Sequence, residues 1–127
     1  MLISDQEFTS ELSKVFKENK LSSYINAERT EKFLALTKRM LEENEKYNLT
    51  AITEPKKIIL NHYADCVTLA ALLPKGARII DVGCGAGFPT LPLAIVRPDV
   101  SILAVDSTAK RIAYVDETTK QIGRAHV

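Results

Sequence analysis

Long apolar runs are missing from this chain. No stretch approaches the roughly 20 consecutive apolar residues of a membrane-spanning helix, which argues against a membrane protein. The opening residues, Met1-Leu2-Ile3-Ser4-Asp5, lack the basic flank and apolar centre of a secretory signal. Cysteine is scarce. Cys66 and Cys84 have no CxxC spacing, so they read as reduced thiols of a cytoplasmic protein rather than a disulfide framework. With 2 histidines in the chain, no metal-ligand cluster is visible and no metal is expected. Charge excess is equally small, at 17 Lys and Arg against 16 Asp and Glu. A net charge of +1 provides no global basic field for nucleic acid. The local pairs Lys38-Arg39, Lys56-Lys57 and Lys110-Arg111 suit phosphates, although solvated surface is the plainer reading of any one of them. Repeats and low-complexity tracts are also absent. What remains is an ordinary composition, 46% hydrophobic and 26% charged, with 127 residues for one domain and a modest core.

The informative stretch runs from Ala77 to Pro89. Ile79-Ile80-Asp81-Val82 is a short apolar run bounded by glycines, the pattern of a buried strand. Gly83, Gly85 and Gly87 then alternate with Cys84 and Ala86, and Pro89 suits the first turn of a helix. Strand, glycine loop and helix in this order predict a nucleotide-type cofactor site, with loop amides and the helix N-terminus facing the ligand. The spacing is not G-x-G-x-x-G, because the third glycine comes one residue early and Phe88 holds its place. The Gly-Lys-Ser/Thr of a phosphate-binding loop is absent as well. A second strand, Val100–Val105, ends at Asp106, where an acidic side chain is able to accept both hydroxyls of a ribose. The alternative for Asp106 is a helix cap.

Around this stretch the chain reads as helical. Ser4-Asp5-Gln6-Glu7 forms a capping box that opens a first helix carrying Phe8, Leu12, Val15 and Phe16. Asn26 caps a second helix, with Phe33, Leu36 or Thr37, Met40, Leu41 and Tyr47 inward and mixed charges outward. Thr53-Glu54-Pro55 starts a third helical stretch through Ile58, Ile59, His62 and Tyr63. Val67, Leu69, Ala70, Leu72 and Leu73 are expected to be buried. Leu91, Leu93, Ala94, Ile95 and Val96 form the crossover helix. Ile112, Ala113 and Val115 are the apolar side of a last helix, about Thr108 to Lys120.

The Asp-x-Gly-x-Gly-x-Gly stretch with Asp106 downstream resembles the first motifs of class I S-adenosylmethionine-dependent methyltransferases. Tyr47-Asn48-Leu49-Thr50, His62-Tyr63-Ala64-Asp65, the Gly87-Phe88-Pro89 continuation, Asp106-Ser107 and Lys110-Arg111 narrow the resemblance. Together they look like the bacterial ribosomal RNA small subunit methyltransferase G family, also called glucose-inhibited division protein B, over about Leu21 to Lys120. Cys66 and Thr90 depart from the usual Ser and Gly of the family.

The resemblance implies an α/β protein, a partial Rossmann-like class I methyltransferase fold preceded by an N-terminal helical region. Residues 1–73 would form that region, 74–120 the first part of the cofactor domain, and 121–127 a non-native tail. The tail can be encoded by codons that contain the start of a common sequencing adapter; a natural helix end at Gly123 is the alternative. The implied cofactor is S-adenosyl-L-methionine, touched by Gly83, Gly85, Gly87 and Phe88. Asp81 would orient its amino-acid end and Asp106 its ribose. The implied reaction is methyl transfer to N7 of a guanine in 16S rRNA, on the free RNA or a small-subunit assembly intermediate. Guanine N7 already offers a lone pair, so no catalytic base is needed and proximity does the chemistry. Asn48, His62 and Asp65 are candidates for the pocket or for the layer behind it. A hydrogen-bonded His62–Asp65 pair bracing the helix is the competing reading. Cys84 reads as a small loop residue rather than a nucleophile. Two strands are fewer than such a sheet needs, so an inactive, poorly stable chain is expected. A noncatalytic cofactor-binding fragment and a small-molecule methyltransferase are the alternatives.

Overall fold

The computed structural model of the chain describes residues 3–47 and 49–122. Helix α1 spans Asp5–Glu18 and is capped as its sequence predicts, with the Glu7 amide donating to Ser4 Oγ at 3.0 Å. A 3-10 turn at Ser22–Tyr24 leads to α2, Ala27–Tyr47, where Asn26 Oδ1 accepts from the Arg29 amide at 2.8 Å. The next helical stretch changes gauge three times. It runs as α3 (Pro55–Ile58), a π turn (Ile59–Ala64), α4 (Asp65–Thr68) and a 3-10 turn (Leu69–Leu72).

Strands β1 (Arg78–Val82) and β2 (Ser101–Val105) pair in parallel, with Arg78 opposite Ser101 and Val82 opposite Val105. Helix α5 (Thr90–Val96) makes the crossover and α6 (Ala109–Gln121) follows β2. This is a mixed α/β architecture with a small parallel sheet. Among the described residues no helix is long and apolar enough to cross a membrane.

The core joins the helices to one face of the sheet. Phe16, Phe33 and Tyr63 are fully buried and meet edge-on or tilted, with centroids 5.8 and 4.8 Å apart. The Tyr63 hydroxyl is satisfied at 2.6 Å by Thr37 Oγ1. All seven residues of α5 are buried, beside Ile102 and Ala104 of β2.

Several burial expectations are corrected. Leu69 is exposed and Leu72 is 76% exposed, while Val67 and Ala70 are buried. A 3-10 turn eclipses residues three apart, which brings Leu69 and Leu72 to one outward side. Ala113 is exposed, and α6 buries Tyr114, Val115, Thr118 and Thr119 instead. The first strand is not buried on both faces. Ile80 is 65% and Val82 80% exposed, and their partners Leu103 and Val105 share that bare face. Pro89 stands at the N-cap of α5, one residue before the first-turn position expected for it.

One clamp ties the layers together. The Arg97 guanidinium donates to the carbonyls of Ala70, Leu73 and Pro74 at 2.5, 2.8 and 3.1 Å. Asp99 holds the guanidinium from its other side and accepts the Gly76 amide at 2.9 Å. The carbonyls at the end of the long helical stretch and in the turn after it are thereby capped by a side chain from beyond α5, in addition to the backbone bonds that the Leu73 and Ala77 amides donate to Ala70 and Pro74.

Candidate functional site

The glycine loop leaves β1 directly. Gly83, Gly85 and Gly87 have φ of +73°, +54° and +94°, a region that residues with a Cβ avoid. The three do not share one role. A Cβ at Gly83 would meet nothing within 4 Å, and at Gly85 only the Gly83 carbonyl at 4.0 Å. At Gly87 it would collide with Leu91, whose Cγ would be 2.7 Å away. Gly87 is thus a packing glycine, whereas Gly83 and Gly85 leave an open surface.

The loop amides point inward, contrary to the expectation that they face a ligand. Gly83 and Cys84 donate to the Val105 carbonyl at 2.8 and 3.0 Å, extending the pairing of β1 beyond Val82. Gly85 donates to Asp106 Oδ2 at 3.0 Å. Gly87 and Phe88 donate to the Cys84 carbonyl at 2.8 and 3.2 Å, and Leu91 at the start of α5 donates to the Gly87 carbonyl. A phosphate needs such donors and finds these engaged. Two carboxylates flank the loop instead.

Asp81 and Asp106 are both half-buried. Asp81 Oδ2 accepts the Thr90 hydroxyl at 2.5 Å. Asp106 accepts from the Thr108 amide through Oδ1 and from Gly85 through Oδ2, and these two N–H groups hold its carboxyl below the usual range. It remains ionised at neutral pH. Beside it an open cleft of about 610 Å³ is lined by Leu103, Val105, Ala109, Ile112 and Ala113, with Asp106 and Asp116 at its polar margin. An ionised acceptor next to an apolar cleft suits a nucleoside, hydroxyls to the acid and base to the apolar wall. The same contacts also make Asp106 a brace of the turn before α6.

Burial raises the Cys84 thiol, and the neighbouring Asp81 and Asp106 push it further, so it stays protonated. Its buried side chain fits a small loop residue. Burial also pushes Cys66 up to about 12. Among the described residues no cluster of three or more His, Cys, Asp or Glu side chains could hold a metal.

His62 reaches the loop by stacking. Its ring lies 4.3 Å from that of Phe88 with 6° between the planes, and Nε2 is 3.2 Å from Thr50 Oγ1. Its neighbour Tyr63 meets Phe88 at 6.2 Å. Burial lowers the pKa of His62 and the Asp65 charge opposes part of that shift. Asp65 itself is exposed, and the hydrogen bond of His62 goes to Thr50 rather than to Asp65. Asn48 lies outside the described residues. Two residues with no role evident from sequence also enter the site: Thr50, inside the Tyr47–Thr50 motif, and Thr90, where the family usually has Gly.

With this geometry in view, comparison with known proteins identifies the chain's relatives. The model of GidB, rRNA small subunit methyltransferase G, matches residues 29–127. The chain belongs to that family. It is 40% identical to the ribosomal RNA small subunit methyltransferase G of Desulfitobacterium hafniense (strain Y51) over 122 residues, 96% of this chain and 49% of the relative. The Clostridium perfringens (strain 13 / Type A) protein of that name is 42% identical over 104 residues, 80% of this chain and 44% of the relative. The one from Trichormus variabilis is 40% identical over 99 residues, 72% and 40% of the two chains. This GidB-family chain thus spans about half the length of the curated relatives it matches.

Proposed function

We propose that this chain is the cofactor-binding half of an S-adenosylmethionine-dependent methyltransferase acting on N7 of a guanine in 16S rRNA. Its sheet would be the first part of a Rossmann-like class I domain, residues 74–120, behind a helical region, 1–73. Cytoplasmic small-subunit rRNA, free or in an assembly intermediate, would be the partner. The carrying observation is the inward-turned glycine loop flanked by Asp81 and Asp106, with open space over Gly83 and Gly85. That surroundings disfavours a phosphate and favours a cationic ligand with hydroxyls.

S-adenosylmethionine supplies a methyl group activated on a sulfonium. Asp81 would hold the cationic amino-acid end, Asp106 the ribose, and Phe88 the side of the loop. Gly83 and Gly85 allow close approach because neither projects a side chain. Asn48, His62 and Asp65 are the proposed residues of the pocket or of the layer just behind it. None of them needs to remove a proton, because N7 presents its lone pair. The protein's contribution is alignment. The chain alone is proposed not to turn over, since among the described residues one sheet face is exposed and neither outer strand edge has a paired strand.

The test is titration of S-adenosylmethionine, followed by labelled methyl transfer to rRNA and nucleoside mass spectrometry. It is run on the chain alone and on the chain joined to the remaining half of the Desulfitobacterium relative. Weak binding without transfer by the first, and N7-methylguanosine from the second, are expected. A soluble, cofactor-bound fusion that methylates only a small molecule, or nothing, would overturn the reading.

A further inference from the structure

The N-terminal helical layer reaches the glycine loop through one column of contacts. Asn44 Oδ1 accepts the Thr50 amide at 2.8 Å, and Thr50 Oγ1 accepts the Ile52 amide at 3.1 Å. The same hydroxyl shares a 3.2 Å hydrogen bond with His62 Nε2, and the His62 ring lies flat on Phe88. Phe88 in turn is anchored to the loop by its amide on the Cys84 carbonyl. We propose that Thr50 and His62 are positioning residues that fix the cofactor loop through Phe88.

Three observations favour positioning over incidental packing. A parallel stack at 4.3 Å with 6° between the rings gives Phe88 a full face of contact on the helical layer. The imidazole is itself fixed by Thr50, whose amide is held by the Asn44 side-chain oxygen and whose hydroxyl accepts the Ile52 amide. Finally, His62 and Tyr63 both contact Phe88 although they are consecutive. The π turn at Ile59–Ala64 explains that, because it rotates successive residues less than an α-helix does and lets adjacent side chains converge. The consequence for function rests on the reading that this loop holds the cofactor.

Hydrogen exchange on the 127-residue chain tests the coupling without any ligand. In His62→Ala the Gly87 and Phe88 amides should exchange about tenfold faster, the size expected from losing an aromatic stack. Amides of α1 should keep their rates. Thr50→Val should accelerate the same two amides about threefold to tenfold through loss of its hydrogen bonds. His62→Phe keeps a flat ring and should restore most of the protection. Unchanged Gly87 and Phe88 exchange in His62→Ala would overturn the proposal, as would an equal rise in α1, which marks a merely structural role. Titration of S-adenosylmethionine into the same proteins should show affinity falling in the order of loop loosening. If the loop loosens as expected but the unmodified chain binds no S-adenosylmethionine, the positioning stands and the cofactor assignment fails.

Discussion

Thr90 donates its hydroxyl to Asp81 Oδ2 across the mouth of the glycine loop, joining the first residue of α5 to the strand that precedes the loop. The bond fixes the rotamer of a carboxylate proposed to meet the cofactor, and Thr90 is itself buried. Thr90→Val keeps the volume and removes the donor. Urea denaturation should show a loss of about 1.5–3 kcal/mol, the usual range for a hydrogen bond to a charged group. Thr90→Ser should remain near the original stability. Equal stability of all three proteins would mean that the contact does not matter.

Gly83 and Gly87 should respond differently to the same substitution. Both pay for a Cβ at positive φ, roughly 1–2 kcal/mol. Gly87→Ala also forces Leu91, a fully buried side chain, to move, adding about 1–3 kcal/mol. Thermal melting should therefore rank Gly87→Ala well below Gly83→Ala. S-adenosylmethionine titration should find the larger affinity loss, relative to stability, at Gly83. The reverse ranking would contradict the division between a packing glycine and an open one.

His62 gives the fold a pH dependence of defined sign. Its pKa in the folded chain lies below the ordinary 6.5, chiefly through burial, with Asp65 opposing. The unfolded chain therefore binds this proton more readily. Stability from this group is fully present above pH 6.5 and is lost as pH falls towards the folded value. Chemical denaturation between pH 7 and 5 should show that decline, and His62→Gln should flatten it. An identical slope in the variant would assign the effect to other groups.

The Arg97 clamp should outweigh exposed ion pairs. Arg97→Met removes the guanidinium that bridges the carbonyls of Ala70, Leu73 and Pro74 and should lower the melting temperature clearly. Lys57→Met breaks the exposed pair with Glu54 and should change stability by at most about 0.5 kcal/mol. Comparable melting points for the two variants would refute the ranking.

Local signals were legible in the sequence. The Ser4 and Asn26 caps depend on neighbours within one turn, and both formed as read. The strand–loop–helix order around Gly83–Gly87 was visible because glycine is the residue that adopts such a backbone at least cost. The partner of His62 was not, because i to i+3 spacing predicts contact with Asp65 only on a regular α-helix. The π turn shifts the phase, and Thr50 arrives from a separate segment 12 residues earlier. The exposure of Leu69 and Leu72 was hidden for a related reason, since nothing in their composition announces a 3-10 turn. The direction of the loop amides depended on Val105 and Asp106, which lie across the sheet rather than along the chain.

The bare face formed by Ile80, Val82, Leu103 and Val105 makes the chain's stability a matter of mass action. Any apolar surface that binds the folded face but not the unfolded chain draws the equilibrium toward folding in proportion to its concentration. A melting temperature measured on this polypeptide is then a property of the solution as much as of the molecule. It should climb with protein concentration while the face associates, and become independent of concentration once lysines replace Val82 and Leu103.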